Sequence, residues 1–244
     1  MLLWCFSFLL PAQSPTLAAE ISQHQQQEMV VLVHGLGRTS RAMRVLEKIL
    51  SQQGYEVHNL DYPSRQRNID DLVDVLHDEV TSCCVDPERK VHFVTHSLGG
   101  ILVRAYLKKY SLENLGRVVM ISPPNQGSEI VDVLRDLWLF QQVTGPAGLQ
   151  LGTDNSSVPN TLGPVTFTLG VITGNRSLNP FSSWMIPGPD DGKVAVERAK
   201  VEGMEDFLIV PYGHTFIMRY QAVAEQTIHF LRTGHFRRAV HDER

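Results

Sequence analysis

Cysteine is scarce in this chain: there are three in 244 residues, and two of them, Cys83 and Cys84, are neighbours. With Cys5 set aside in the N-terminal segment, a long-range disulfide framework is excluded, so stability must come from a buried core. The adjacent pair also lacks the C-x-x-C spacing of a redox dithiol, and both thiols fall at the end of a helical pattern, where a structural role is expected. Excess charge is missing too. Lys and Arg total 22 against 26 Asp and Glu, a net charge of −4, which offers no general attraction to nucleic acid; none is expected as a partner. None of the ten histidines is spaced from cysteines or carboxylates as metal ligands are, and no metal or other cofactor is expected. The acids Asp70, Asp71, Asp74 and Asp78 fit a solvated helix face near a helix N-terminus. No internal repeat is visible.

Long apolar runs are also lacking. The nearest approach, Met1 to Leu10, is too short to span a bilayer and is followed by Pro11 and small residues through Leu17-Ala18-Ala19. Residues 1–19 therefore read as a signal-peptide-like segment that directs export to the periplasm or the exterior, although no Lys or Arg precedes Arg38 to supply a basic start. Residues 20–28, rich in Gln, form a flexible lead-in, and 235–244 form a polar, frayed tail. The domain proper is 29–234.

What the chain has is a globular composition, 43% hydrophobic and 20% charged, in a length that suits one α/β domain. Met29–Val33 is a short continuous apolar run of the kind expected for a strand buried on both faces, and Glu56–Leu60, Val91–His96, Arg117–Ile121, Val165–Thr173 and Asp206–Pro211 also read as strands. Helical periodicity lies between them. Ser40 is placed to cap a helix burying Ala42, Val45, Leu46 and Ile49, which Gly54 ends; Asn68 opens one burying Ile69, Leu72, Val73, Leu76 and Val80. The alternation predicts a mostly parallel sheet of about six strands with helices on both faces. At 123–164 the rhythm breaks into a Gly-, Pro-, Asn- and Ser-rich insertion, with one apolar helix expected over Glu129–Gln142. Such an insertion beside a sheet edge is lid-like.

The stretch Val91-His92-Phe93-Val94-Thr95-His96-Ser97-Leu98-Gly99-Gly100 passes from strand to helix with no polar linker. Ser97 would stand on the turn, where flanking residues must be small because backbone passes backbone; Gly99 meets that demand and Thr95 meets it in part. A serine hydroxyl needs an imidazole to accept its proton and a carboxylate to orient that imidazole. Asp191 follows the fifth expected strand and His214 the sixth, so Ser97, Asp191 and His214 would share the carboxyl edge of a parallel sheet. Asp190 is the rival acid. The amides of Leu98, at a helix N-terminus, and of Leu36, in His34-Gly35-Leu36-Gly37, are candidate donors to an oxyanion. His34 and His96 fit packed loop formers, His58 and His92 structural positions within strands. Asp61, with Pro63 close behind, fits a turn.

Taken together, Val33-His34-Gly35-Leu36-Gly37, Thr95-His96-Ser97-Leu98-Gly99-Gly100, Pro123-Pro124-Asn125-Gln126-Gly127-Ser128, Pro189-Asp190-Asp191-Gly192-Lys193-Val194 and Tyr212-Gly213-His214-Thr215-Phe216 resemble the α/β-hydrolases, in particular their small secreted esterase and triacylglycerol-lipase-like branch. The resemblance implies a nucleophile at Ser97, a base at His214, the acid at Asp191 before Gly192, and oxyanion amides at Leu36 and Leu98. It also implies hydrolysis of carboxylic esters, lipid-like or acylglycerol esters foremost. Trp138, Leu139, Phe140, Phe181 and Trp184 are expected to supply apolar surface for an acyl chain, with transient contact to a lipid surface. An acyltransferase or thioesterase would use the same three side chains, and a non-catalytic binding module could keep the fold. Oligomeric state has no signature in the sequence.

Overall fold

The computed structural model describes residues 28–84, 86–177 and 179–238. The signal-peptide-like segment 1–19, nearly all of the lead-in, and 239–244 of the tail lie outside the described residues.

Six strands form one sheet: β1 (Met29–Val33), β2 (Glu56–Leu60), β3 (Val91–His96), β4 (Leu115–Ile121), β5 (Leu169–Gly174) and β6 (Asp206–Val210). Their order is β2-β1-β3-β4-β5-β6, and every pairing is parallel. Parallel strands require crossovers, and those crossovers cover both faces. On one face α2 (Ile69–Cys83) and α3 (Leu98–Lys109) pack over Val31, Val33, Phe93 and Met120; on the other α1 (Arg44–Gln52) and α8 (Gln221–Thr233) pack over Val30, Leu32, Val94 and Ile121. Alternate residues of one strand thus enter different cores, which is why β1 reads as an unbroken apolar run and β3 is buried along its whole length.

Local chemistry fixes several boundaries. Asn68 caps α2, its side chain accepting the Asp71 N–H at 2.9 Å. Ser40 is no cap: it opens a short 3₁₀ turn, Ser40–Met43, ahead of α1, and Val45 faces solvent instead of the core. β5 begins at Leu169 and not at Val165, because Val165 buries its side chain while its N–H bonds the Glu202 carbonyl outside the ladder. Residues 235–238 depart from the expected frayed tail. Phe236 is buried against Phe230, its N–H donates to Asp206, and Arg238 pairs with that same carboxylate.

The insertion carries α4 (Glu129–Leu134), α5 (Trp138–Leu149) and α6 (Val158–Thr161). The single helix expected over 129–142 is therefore broken, and α5 is itself kinked at Gly145, where φ is 65° and Pro146 follows. A Cβ at Gly145 would strike the Arg65 carbonyl, so the kink also sets how closely the insertion approaches the loop after β2.

Arg104 on α3 ties the insertion down. Its guanidinium donates to the Asn125 carbonyl at 2.9 Å, to Asn125 Oδ1 at 3.2 Å and to the Gly163 carbonyl at 2.8 Å. Burial pushes its pKa down to about 10, and carbonyl dipoles, not a carboxylate, compensate the charge. Arg104→Met should destabilise the protein by about 2–4 kcal/mol, because it leaves buried carbonyls without donors. Urea unfolding measures this, and Arg104→Lys should recover only part of the loss, since one ammonium cannot reproduce the fork.

Candidate active site

β3 ends at His96, and the next residue turns the chain straight into α3. Ser97 has φ 54° and ψ −122°, a strained conformation for a residue with a side chain, and its N–H is held by the Ile121 carbonyl at 2.9 Å. The turn is possible because its neighbours yield space. A Cβ at Gly99 would run into the Val33 carbonyl oxygen, and one at Gly35 would lie 2.8 Å from His96 Nδ1. Thr95 is accommodated by Gly100, where an added Cβ would come within 3.3 Å of the threonine oxygen. That spacing explains how a threonine occupies a position where a smaller residue is usual.

Three loops at the carboxyl edge then converge. Ser97 Oγ lies 3.0 Å from His214 Nε2, and His214 Nδ1 lies 2.9 Å from Asp191 Oδ2. His214 is 4% exposed and Asp191 2%, so the pair is shielded from competing water. The other carboxylate oxygen of Asp191 accepts the Lys193 and Val194 N–H groups at 3.0 and 2.9 Å, and its carbonyl accepts the His214 N–H at 2.8 Å. Burial alone would raise the Asp191 pKa. The adjoining His214 and the Val194 N–H outweigh it and hold the carboxyl below the usual range. Asp190 faces elsewhere, accepting the Ser183 hydroxyl at 2.9 Å and the Gly192 N–H at 2.6 Å.

The oxyanion candidates sit on the two turns nearest Ser97. Among the described residues neither the Leu36 nor the Leu98 N–H is used in an internal hydrogen bond, which leaves both for a ligand. The loop bearing Leu36 is braced by Tyr62: its hydroxyl donates to the His34 carbonyl at 2.6 Å and its ring stacks on His34 at 4.2 Å. His34 is a packed loop residue, as its position suggested; His96 is also buried but is the last residue of β3 and not part of a loop. His96 donates from Nε2 to the His214 carbonyl at 3.0 Å, while its Nδ1 is buried against Gly35 without a partner.

That geometry has a consequence in acid. Burial, with His214 adding to it, pushes the His96 pKa well below its ordinary value, so the unfolded chain takes up the proton first. Stability should therefore fall as pH drops below about 6.5. Urea midpoints measured at about pH 7 and about pH 5 should differ less in His96→Asn than in the parent.

A cavity of about 340 Å³ opens over Ser97 and His214. The insertion supplies Ile130, Val131, Leu134, Phe140 and Val143, while Phe181 and Met185 come from the segment around α7 (Pro180–Trp184). Of the five side chains expected to receive an acyl chain, Phe140 and Phe181 line this cavity. Trp138, Leu139 and Trp184 do not; they are 71%, 66% and 84% exposed. Phe140, Val143 and Thr144 form the inward stripe of α5, leaving its first residues outside. Arg38 and Lys193 also line the cavity, and no periodic pattern in the sequence marked them, although Arg38 adjoins one quoted motif and Lys193 lies inside another. Among the described residues no group of three or more His, Cys, Asp and Glu could hold a metal ion.

The model of the alpha/beta hydrolase family matches residues 30–244. The chain belongs to that family. No curated protein matches this hydrolase, but its fold recurs in solved structures. The mature form of the Bacillus licheniformis lipase BlEst2 is similar over 91% of this hydrolase and 95% of that chain, at 19% identity and a TM-score of 0.66. The phospholipase PlaB from Legionella pneumophila covers 85% of this hydrolase, which spans 59% of the phospholipase, at 20% identity and a TM-score of 0.67. A Paleococcus ferrophilus monoacylglycerol lipase is similar over 85% and 93% of the two chains, at 16% identity and a TM-score of 0.53. At these identities the likeness is one of fold.

Proposed function

We propose that this alpha/beta hydrolase cleaves carboxylic esters with apolar acyl chains, acylglycerols and related lipid-like esters foremost, through an acyl-enzyme on Ser97. The observation that carries the reading is the continuous hydrogen-bonded line from Ser97 through His214 to Asp191 at the base of a largely apolar cavity. In this mechanism Ser97 Oγ attacks the ester carbonyl as its proton passes to His214 Nε2, and Asp191 stabilises the imidazolium. The oxyanion is met by the Leu36 and Leu98 N–H groups. His214 then gives the proton to the departing alkoxide, and a water activated by the same imidazole releases the acid from Ser97. The lipase and esterase names among the similar folds agree with this chemistry.

The exposed Val133, Leu137, Trp138 and Leu139 of the insertion, with Phe181 and Trp184 beside it, form the surface that would rest on a lipid aggregate. Export, expected from residues 1–19, is part of the same proposal.

The test supplies purified protein with para-nitrophenyl esters of rising acyl length and follows the release of nitrophenol. A burst equal to the enzyme concentration, and fluorophosphonate labelling at Ser97, support the reading; absence of both refutes it and favours a binding module. Inclusion of a competing alcohol or thiol shows whether water or another acceptor takes the acyl group.

A further inference from the structure

Two cations, Arg38 and Lys193, line the cavity over Ser97, and its described lining includes no carboxylate at all. Neither side chain makes an ion pair or hydrogen bond among the described residues, although the chain as a whole carries net charge −4. Their placement is set by the same turns that hold the reacting groups. The Arg38 N–H bonds the Gly35 carbonyl at 3.2 Å, closing the turn that presents Leu36. Lys193 donates its N–H to Asp191 and accepts the Ser128 hydroxyl on its carbonyl at 2.7 Å. Arg38 also borders a neighbouring open cleft of about 410 Å³, whose lining includes Thr39, Asp61, Ser64, Arg65 and Gln66. An apolar wall thus lies toward the insertion, and a polar exit bearing Arg38, Arg65 and the carboxylate of Asp61 lies toward the loop after β2.

We propose that Arg38 and Lys193 form an anion subsite, which selects esters carrying a phosphate or carboxylate on the alcohol portion while the acyl chain lies against the apolar wall. This rests on the ester-hydrolase reading. The electrostatics agree: partial desolvation and then Arg38 push the Lys193 amine below its ordinary range, with Asp191 opposing, and both cations act on His96. A bound anion would relieve the repulsion between the two cations and complete charge-assisted hydrogen bonds now missing.

The test compares monobutyrylglycerol with the phosphomonoester of the same compound, both soluble as monomers, so that micelle formation does not enter. The ratio of kcat/KM for the phosphorylated to the neutral ester should be about tenfold or more at low salt and should shrink as salt is raised. Lys193→Met and Arg38→Met should each move the ratio toward one, and Lys193→Arg should preserve it. A parental ratio at or below one, or a ratio indifferent to both Met variants while the neutral ester is still cleaved, overturns the subsite and leaves ester hydrolysis standing. Preference only for an anion on the acyl side, para-nitrophenyl succinate over the butyrate, overturns its placement. Failure to cleave any of these esters, together with no fluorophosphonate label, removes the hydrolase reading and the subsite with it.

Discussion

Ser97→Ala is expected to abolish the burst with para-nitrophenyl esters and to lower kcat on the order of a millionfold, the loss seen when a hydrolase of this kind is deprived of its nucleophile. The fold should survive. Alanine meets the same positive-φ restriction as serine, and the side chain lost is a hydroxyl whose one hydrogen-bond partner among the described residues is His214. The expected pattern is therefore an unchanged urea midpoint beside a vanished burst and a lost fluorophosphonate label. Residual turnover above the water rate would come from the apolar cavity and the Leu36 and Leu98 amides, which the substitution leaves in place. An alanine variant that retained the burst would exclude Ser97 as the nucleophile, however well its distance to His214 fits.

The parallel sheet and the strand-to-helix turn were legible because each depends on local pattern. β1 is apolar on both faces, as a strand covered by helices on both sides is, and Gly99 follows two residues after Ser97, where a Cβ would meet β1. Elements that depend on tertiary partners were misplaced. Nothing local in 129–149 announces the break at 135–137, where Arg135 turns to Asp132 and Asp154; Val165 satisfies its N–H on a distant carbonyl and so drops out of β5. Apolar residues in the insertion could not be sorted from sequence into those facing the cavity and those facing outward. Phe140 and Trp138 have the same composition signal and opposite environments. Arg38 and Lys193 were hidden for a related reason: a solvated cation and a cation aimed at a cavity look identical until the turns that carry them are placed side by side.

The choice between Asp190 and Asp191 was open in the sequence, and the two should now separate by orders of magnitude. Asp191→Asn retains size but replaces the oxygen facing His214 Nδ1 with a group that can donate, favouring the wrong tautomer of the base. The comparable change in a serine hydrolase lowers kcat about ten-thousandfold. Asp190→Asn should keep most activity, because its oxygen can still accept the Gly192 N–H and the Ser183 hydroxyl. Stability adds a second readout. The Asp191 carboxyl is held below the usual range in the folded chain, so its ionised form stabilises folding above the unfolded pKa of about 4, and that contribution is lost as pH falls through the folded value. Asp191→Asn should therefore be less stable than the parent at neutral pH and should approach it in acid. Equal losses of activity from the two substitutions would mean that the whole Asp190-to-Val194 turn positions His214, and not one carboxylate on it.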